Sequence, residues 1–174
     1  VVPSVESPGY LISASANHHD VFRGTLFQLL MAPAYVGFAL LLYPRLRQLE
    51  PALALGFVGL RFVAAAFVIL AASILPLFVV LSEAFVQAGA PEQSHYQTIG
   101  ELMRQGRDLI NHVAMIVSVS LSGIFLYALL YRQLLVPPWL ALWGMTSANL
   151  AIAASLLVLL GVLPVISVTY LALN

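Results

Sequence analysis

The 174 residues are 61% hydrophobic and 8% charged, and seven basic residues, all arginine, balance seven acidic ones. A soluble domain carries about 25% charged residues because its surface meets water, so this composition excludes a water-bathed surface and leaves lipid as the main solvent. The balanced charge gives no clustered footprint for nucleic acid, and the lack of cysteine excludes disulfides, thiolate nucleophiles and Cys-ligated metals.

A hydrocarbon core about 30 Å thick takes roughly 20 apolar residues at 1.5 Å rise. Four segments meet that length, at about 24–43, 53–81, 109–131 and 139–163. They predict one all-α domain, a polytopic transmembrane helical bundle, because only helices and closed barrels satisfy their backbone in lipid. The ten-residue alternation of barrel strands is not seen. Val1 is not an initiator Met, and no basic stretch precedes a short apolar one, so no signal peptide is expected.

In chain order, Asn17 with Asp20 offers a cap that should start the first helix before Gly24. Pro33 and Pro76 lie inside the first and second segments and should kink them, since each removes a backbone hydrogen bond. Pro44 and Pro51 are expected to bracket the turn between the two. The second segment would span about 43 Å, so it must tilt, bend or project beyond the membrane. Thr98 with Glu101 fits a capping box. Ile99, Leu102, Met103, Leu109 and Ile110 follow at roughly helical spacing, which predicts an amphipathic turn or two lying on the membrane surface. Arg107-Asp108 then stands at the mouth of the third helix. There an aspartate gains about 0.3–1 kcal/mol from the macrodipole and an arginine can pair with lipid phosphate. Pro137-Pro138 end the third helix and open the fourth. Ala114, Ser118 and Ser122 on the third, with Ser147, Ala151 and Ser155 on the fourth, predict a close packing seam between them. A ligand groove is the lesser alternative.

The turns after the first and third helices share a face because two spans separate them. They carry Arg45, Arg47 and Arg132, and with Arg61 nearby the arginine bias predicts that face to be cytoplasmic.

Three strings, APAYVGFALLLYPRL from Ala32, PALALGFVGLRF from Pro51 and YALLYRQLLVPPWLALWG from Tyr127, together resemble bacterial domain-of-unknown-function family 4386. The Arg107-Asp108 pair fits the same pattern, whereas Pro138 stands where that pattern often has arginine. The resemblance covers the chain from about Asn17 onward. It implies small polytopic membrane proteins with about six helices, one before and one after the four read here, and no established activity, cofactor or catalytic residue. The first and last family helices are therefore expected to be missing from this chain.

The polar residues offer few chemical constellations. His18, His19, His95 and His112 all fall on the predicted outer face, beside Asp20, Glu83, Glu92, Glu101 and Asp108. Imidazoles and carboxylates suit Zn, Fe or Cu, yet adjacent His18 and His19 should point to different sides of a helix and no His-x-x-x-His pair occurs. An interfacial loop of water-facing polar groups is the simpler reading. Haem would want a second intramembrane histidine at the depth of His112. Ser118 and Ser122 lie about 9 and 15 Å along the helix from His112, too far to join it and Asp108 in a triad. No metal or cofactor is predicted.

Arg61 stands out, because a charge inside a span costs about 2.5–3.5 kcal/mol on insertion scales. It should turn toward neighbouring helices or snorkel to the headgroups, with Tyr35, Tyr43, Tyr127, Tyr131 and Glu50 as available partners. Its expected role is an anchor, or alternatively binding or proton handling. The sequence thus reads as a multi-pass protein of a bacterial inner membrane, a non-catalytic structural or accessory subunit surrounded by lipid and other membrane subunits. The alternatives are a small transporter or ligand-binding protein with a pocket near Arg61, and a membrane enzyme acting on lipid at the outer face.

Overall fold

The computed structural model describes residues 9–91 and 95–164, and within them each of the four apolar segments forms a helix, the fourth stopping at Leu159, short of its expected limit at 163. The elements are α1 (Tyr10–Ala16), α2 (His18–Leu49), α3 (Pro51–Gln87), α4 (His95–Leu109), a π-helical turn (Ile110–Met115), α5 (Ile116–Arg132) and α6 (Pro138–Leu159). No strand occurs among the described residues. The 22 residues of α6 make a rod about 33 Å long, close to the hydrocarbon thickness. The 32 residues of α2 and 37 of α3 reach about 48 and 55 Å. His95–Arg132 is a single helical path of 38 residues.

The surplus length lies at one end. At the other, Glu50 alone separates α2 from α3. Its carboxylate stands 3.7 Å from Arg132 and accepts from the Gln133 amide at 3.4 Å, which ties that turn to the α5–α6 turn. The two turns share a face as the helix count requires. At the opposite end α1 lies against the far part of α3. The Ser82 hydroxyl donates to the Leu11 carbonyl, and the Tyr10 ring meets Phe78 edge-on at 6.1 Å. Ala14, Val21, Leu75, Phe78 and Val79 form a buried cluster there, with Met103 of α4 packed against it.

This projecting end explains where the elements run past their expected limits. The apolar segments mark the lipid-embedded length, while α2 starts at His18 and α3 continues to Gln87 because both ends find protein to pack on. The amphipathic stretch does not lie separately on the membrane surface: α4 runs unbroken through the π-helical turn into α5. It stands beside α3, with Tyr96 edge-on to Phe85 at 6.2 Å and the Tyr10 hydroxyl donating to the Gln97 carbonyl at 3.4 Å. Thr98 is consequently interior to α4 rather than a cap, and the Glu101 carboxylate accepts from Arg104 and Gln105 one turn on. Asn17 does occupy the N-cap of α2, but its amide donates to the Ser13 carbonyl instead of closing a capping box. Pro44 lies inside α2, so the turn is Glu50 with Pro51 at the first position of α3. Proline is favoured at that position because its missing N–H has no intrahelical partner to lose.

The ends of α3, α5 and α6 share one solution. In each, an amide bonds to the carbonyl five residues back: Ala90 to Phe85, Leu135 to Leu130, Val162 to Leu157. The preceding residue takes positive φ, as in a Schellman cap. Gly89 and Gly161 suit this at φ 82° and 70°, whereas α5 uses Leu134 at φ 50°.

Candidate functional site

Arg61 lies ten residues beyond Pro51, about 15 Å along α3, at the depth of the hydrocarbon. Two backbone features bring α5 against it. Gly56 presents no side chain, and a Cβ there would stand 3.0 Å from the Phe125 ring. Ser122, fully buried on α5, donates its hydroxyl to the Phe57 carbonyl at 2.8 Å. The same oxygen accepts from Arg61 Nε at 3.1 Å. One serine therefore ties a helix backbone and the guanidinium together. The guanidinium carbon also lies 5.5 Å from the Tyr35 ring centroid, 5.8 Å from Phe38 and 5.7 Å from Phe57, within range of the cation–π attraction.

Of the expected partners, Tyr35 touches Arg61 and Tyr127 shares a cleft with it. Tyr43 instead faces Arg47, and Glu50 faces Arg132. Among the described residues no carboxylate lies within ion-pair distance of Arg61. Arginine has five N–H donors, and one of them meets a protein acceptor here. The cleft holds about 220 Å³ and is open on one side. Arg61, Gly123, Tyr127, Gly144 and Ser147 are among its lining residues. Gly144 permits the Tyr127 ring to lie flat on α6, since a Cβ would stand 2.5 Å from Cε1.

The small-residue rows are used within the chain. Ser155 of α6 donates to the His112 carbonyl at 2.9 Å, which pins α6 to the π-helical turn. Ser122 serves α3 rather than α6, and Ser118 bonds back to Ala114 of its own helix. The seam between α5 and α6 exists, but part of it opens into the Arg61 cleft.

Arg107 and Asp108 stand mid-helix. Because α4 and α5 are continuous, no free helix N-terminus exists at Asp108, and the macrodipole role does not apply. Asp108 instead lies 3.7 Å from Arg104 and 3.8 Å from Arg107, whose side chain is buried. The histidines are dispersed. His18 and His19 have ring centroids 4.1 Å apart, side by side rather than on different sides of the helix. His95 stacks on Tyr96 at 4.3 Å, and His112 belongs to the π-helical turn. Among the described residues no group of three or more His, Asp or Glu side chains is gathered to hold a metal. Sequence reasoning missed Gln28, whose amide donates to the buried Asn111 at 2.9 Å across the bundle. An amide inside an apolar segment was the available signal.

Compared with protein families, the model described as a domain of unknown function (DUF4386) matches residues 1–174, the whole chain. No curated protein and no solved structure matches.

Proposed function

The chain belongs to the DUF4386 family, and from that premise we propose an integral membrane protein that works by binding, with the Arg61 cleft as its site. One observation carries this reading: a guanidinium about 15 Å along an apolar helix, one donor engaged and no described carboxylate in reach, borders an open cleft. Inserting such a charge costs about 2.5–3.5 kcal/mol. The Ser122 bond and three aromatic faces offset part of that and hold the group in place. An anchor turned inward needs only the Ser122 bond and the aromatic faces, whereas this guanidinium also borders an open cleft.

The accessory-subunit reading loses the support it drew from the small-residue rows, because Ser122 and Ser155 are spent inside the chain. The lipid-enzyme reading loses the support it drew from the histidines, which are dispersed. The test compares Arg61→Gln with wild type in mild detergent by native mass spectrometry and melting. Binding predicts a co-purifying anionic species on wild type that Arg61→Gln lacks while still eluting as a folded protein. An Arg61→Gln protein that carries the same species as wild type would contradict the proposal.

A further inference from the structure

Resting on that binding role, we infer that the Arg61 cleft takes the head of a single-chain anionic amphiphile, a fatty-acid type carboxylate, entering sideways from the bilayer. Four features specify this class. The first is charge. One cation without a described counter-ion fits one negative charge, and the planar guanidinium pairs with a carboxylate in two parallel bonds. The second is unused polar capacity. Ser118 and Thr146 bond back to carbonyls of their own helices, but Ser120 and Ser147, which line the cleft, make no such bond among the described residues. A cation and two hydroxyls thus converge on the same space.

The third feature is depth. The α6 lining runs from Gly144 to Ala151, about 9–20 Å into a helix that itself just spans the hydrocarbon. Ser147 in the lining is exposed among the described residues, on a helix whose apolar length matches the hydrocarbon. An occupant arriving there must already be dissolved in the bilayer, so it needs an alkyl chain. The fourth is size. The cleft, at about 220 Å³, is smaller than the roughly 300–1,000 Å³ of sites for drug-sized ligands. It admits a compact head and the first methylenes, with the rest of the chain left in lipid.

The experiment uses the full chain in nanodiscs of zwitterionic phospholipid with a photoactivatable diazirine fatty acid, mapped by peptide mass spectrometry. Adducts are expected on peptides carrying Tyr127 and Gly144–Ala151. Dodecanoate should compete, and dodecanol and dodecyltrimethylammonium should not. Arg61→Gln should lower adduct yield at least tenfold. Ser147→Leu, at an exposed position where added bulk is tolerated, should block the mouth and lower it similarly while leaving Arg61 in place. Equal competition by dodecanol, or full labelling of both variants, overturns the proposal. If acetate or inorganic phosphate shifts the melting of wild type and not of Arg61→Gln, while no chain-bearing anion does, the amphiphile is wrong and binding at Arg61 stands. If no anion of either kind distinguishes wild type from Arg61→Gln, both readings fall. A protein carboxylate as the occupant would appear as a crosslinked protein adduct at the same peptides in native membranes, and would likewise overturn the amphiphile.

Discussion

Replacing Gly144 with alanine tests how α5 and α6 are fitted together beside the cleft. The new Cβ would stand 2.5, 2.6 and 2.7 Å from Cε1, Cζ and Cδ1 of Tyr127. Carbon atoms pack best at about 3.5–4.0 Å, so the ring has to retreat by about 1 Å, and the cleft is the open direction. Forcing an extra methyl into a packed contact costs about 1–3 kcal/mol. Alanine is also a better helix former than glycine by about 1 kcal/mol, so the net loss should be about 0–2 kcal/mol. For a chain of this size that lowers the melting temperature by up to roughly 8 °C. The assay is a thermal melt in mild detergent followed by tryptophan emission, since Trp139 and Trp143 are both on α6. The decisive arm is a double-mutant cycle. In a Tyr127→Ala background the clash has no partner, and Gly144→Ala should be neutral or stabilising by up to about 1 kcal/mol. A cost of equal size in both backgrounds would falsify the ring-contact argument, as would a Gly144→Ala protein that melts above wild type.

Other substitutions probe the remaining polar contacts. Ser122→Ala removes both the bond to the Phe57 carbonyl and the acceptor for Arg61, and should cost about 1–2 kcal/mol; an unchanged melt would show that the serine bridge contributes nothing. Gln28→Leu removes the amide that bonds to buried Asn111 and should destabilise by about 1–3 kcal/mol, whereas Gln28→Leu with Asn111→Leu should recover most of that. Equal melts for the single and double variants would contradict the pairing. Gly100→Ala would place a Cβ 2.5 Å from the Tyr10 hydroxyl, at the far end of a side chain on the short α1. The expected result is faster deuterium exchange in α1 with protection of α5 and α6 retained, and a uniform loss across the bundle would argue against it.

The spans were legible because lipid imposes one rule on every residue: apolar length and internal hydrogen bonding. Arg61 was legible for the same reason, as a charge where charges are expensive, and two of its five nominated partners share its surroundings. What the pattern could not carry was anything decided by a distant segment. The apolar run gives no sign that α3 should continue to Gln87, because the support there is α1, some 70 residues earlier in the chain. Pro44 looks like a turn residue, yet α2 continues through it to Leu49. The Thr98–Glu101 pair has the spacing of a cap but sits inside a helix that already includes His95 and packs on α3. The π-helical turn at Ile110–Met115, the Gln28–Asn111 amide pair and the seat of Tyr127 on Gly144 depend on which helices lie side by side, which spacing within one helix does not encode.

The one-residue turn at Glu50 also bears on how the protein is made. With Glu50 alone between α2 and α3, the chain has no slack to release one helix into the bilayer while the next is still being synthesised. We expect the pair to leave the translocation machinery together, as a hairpin, with Arg45 and Arg47 at the bend deciding the sidedness of both in one event. Neutralising those two arginines should then leave α2 and α3 either both correctly placed or both inverted. Glycosylation tags scanned through the chain during synthesis would count the two populations, and molecules with only one helix of the pair inserted would show that each finds its own way in.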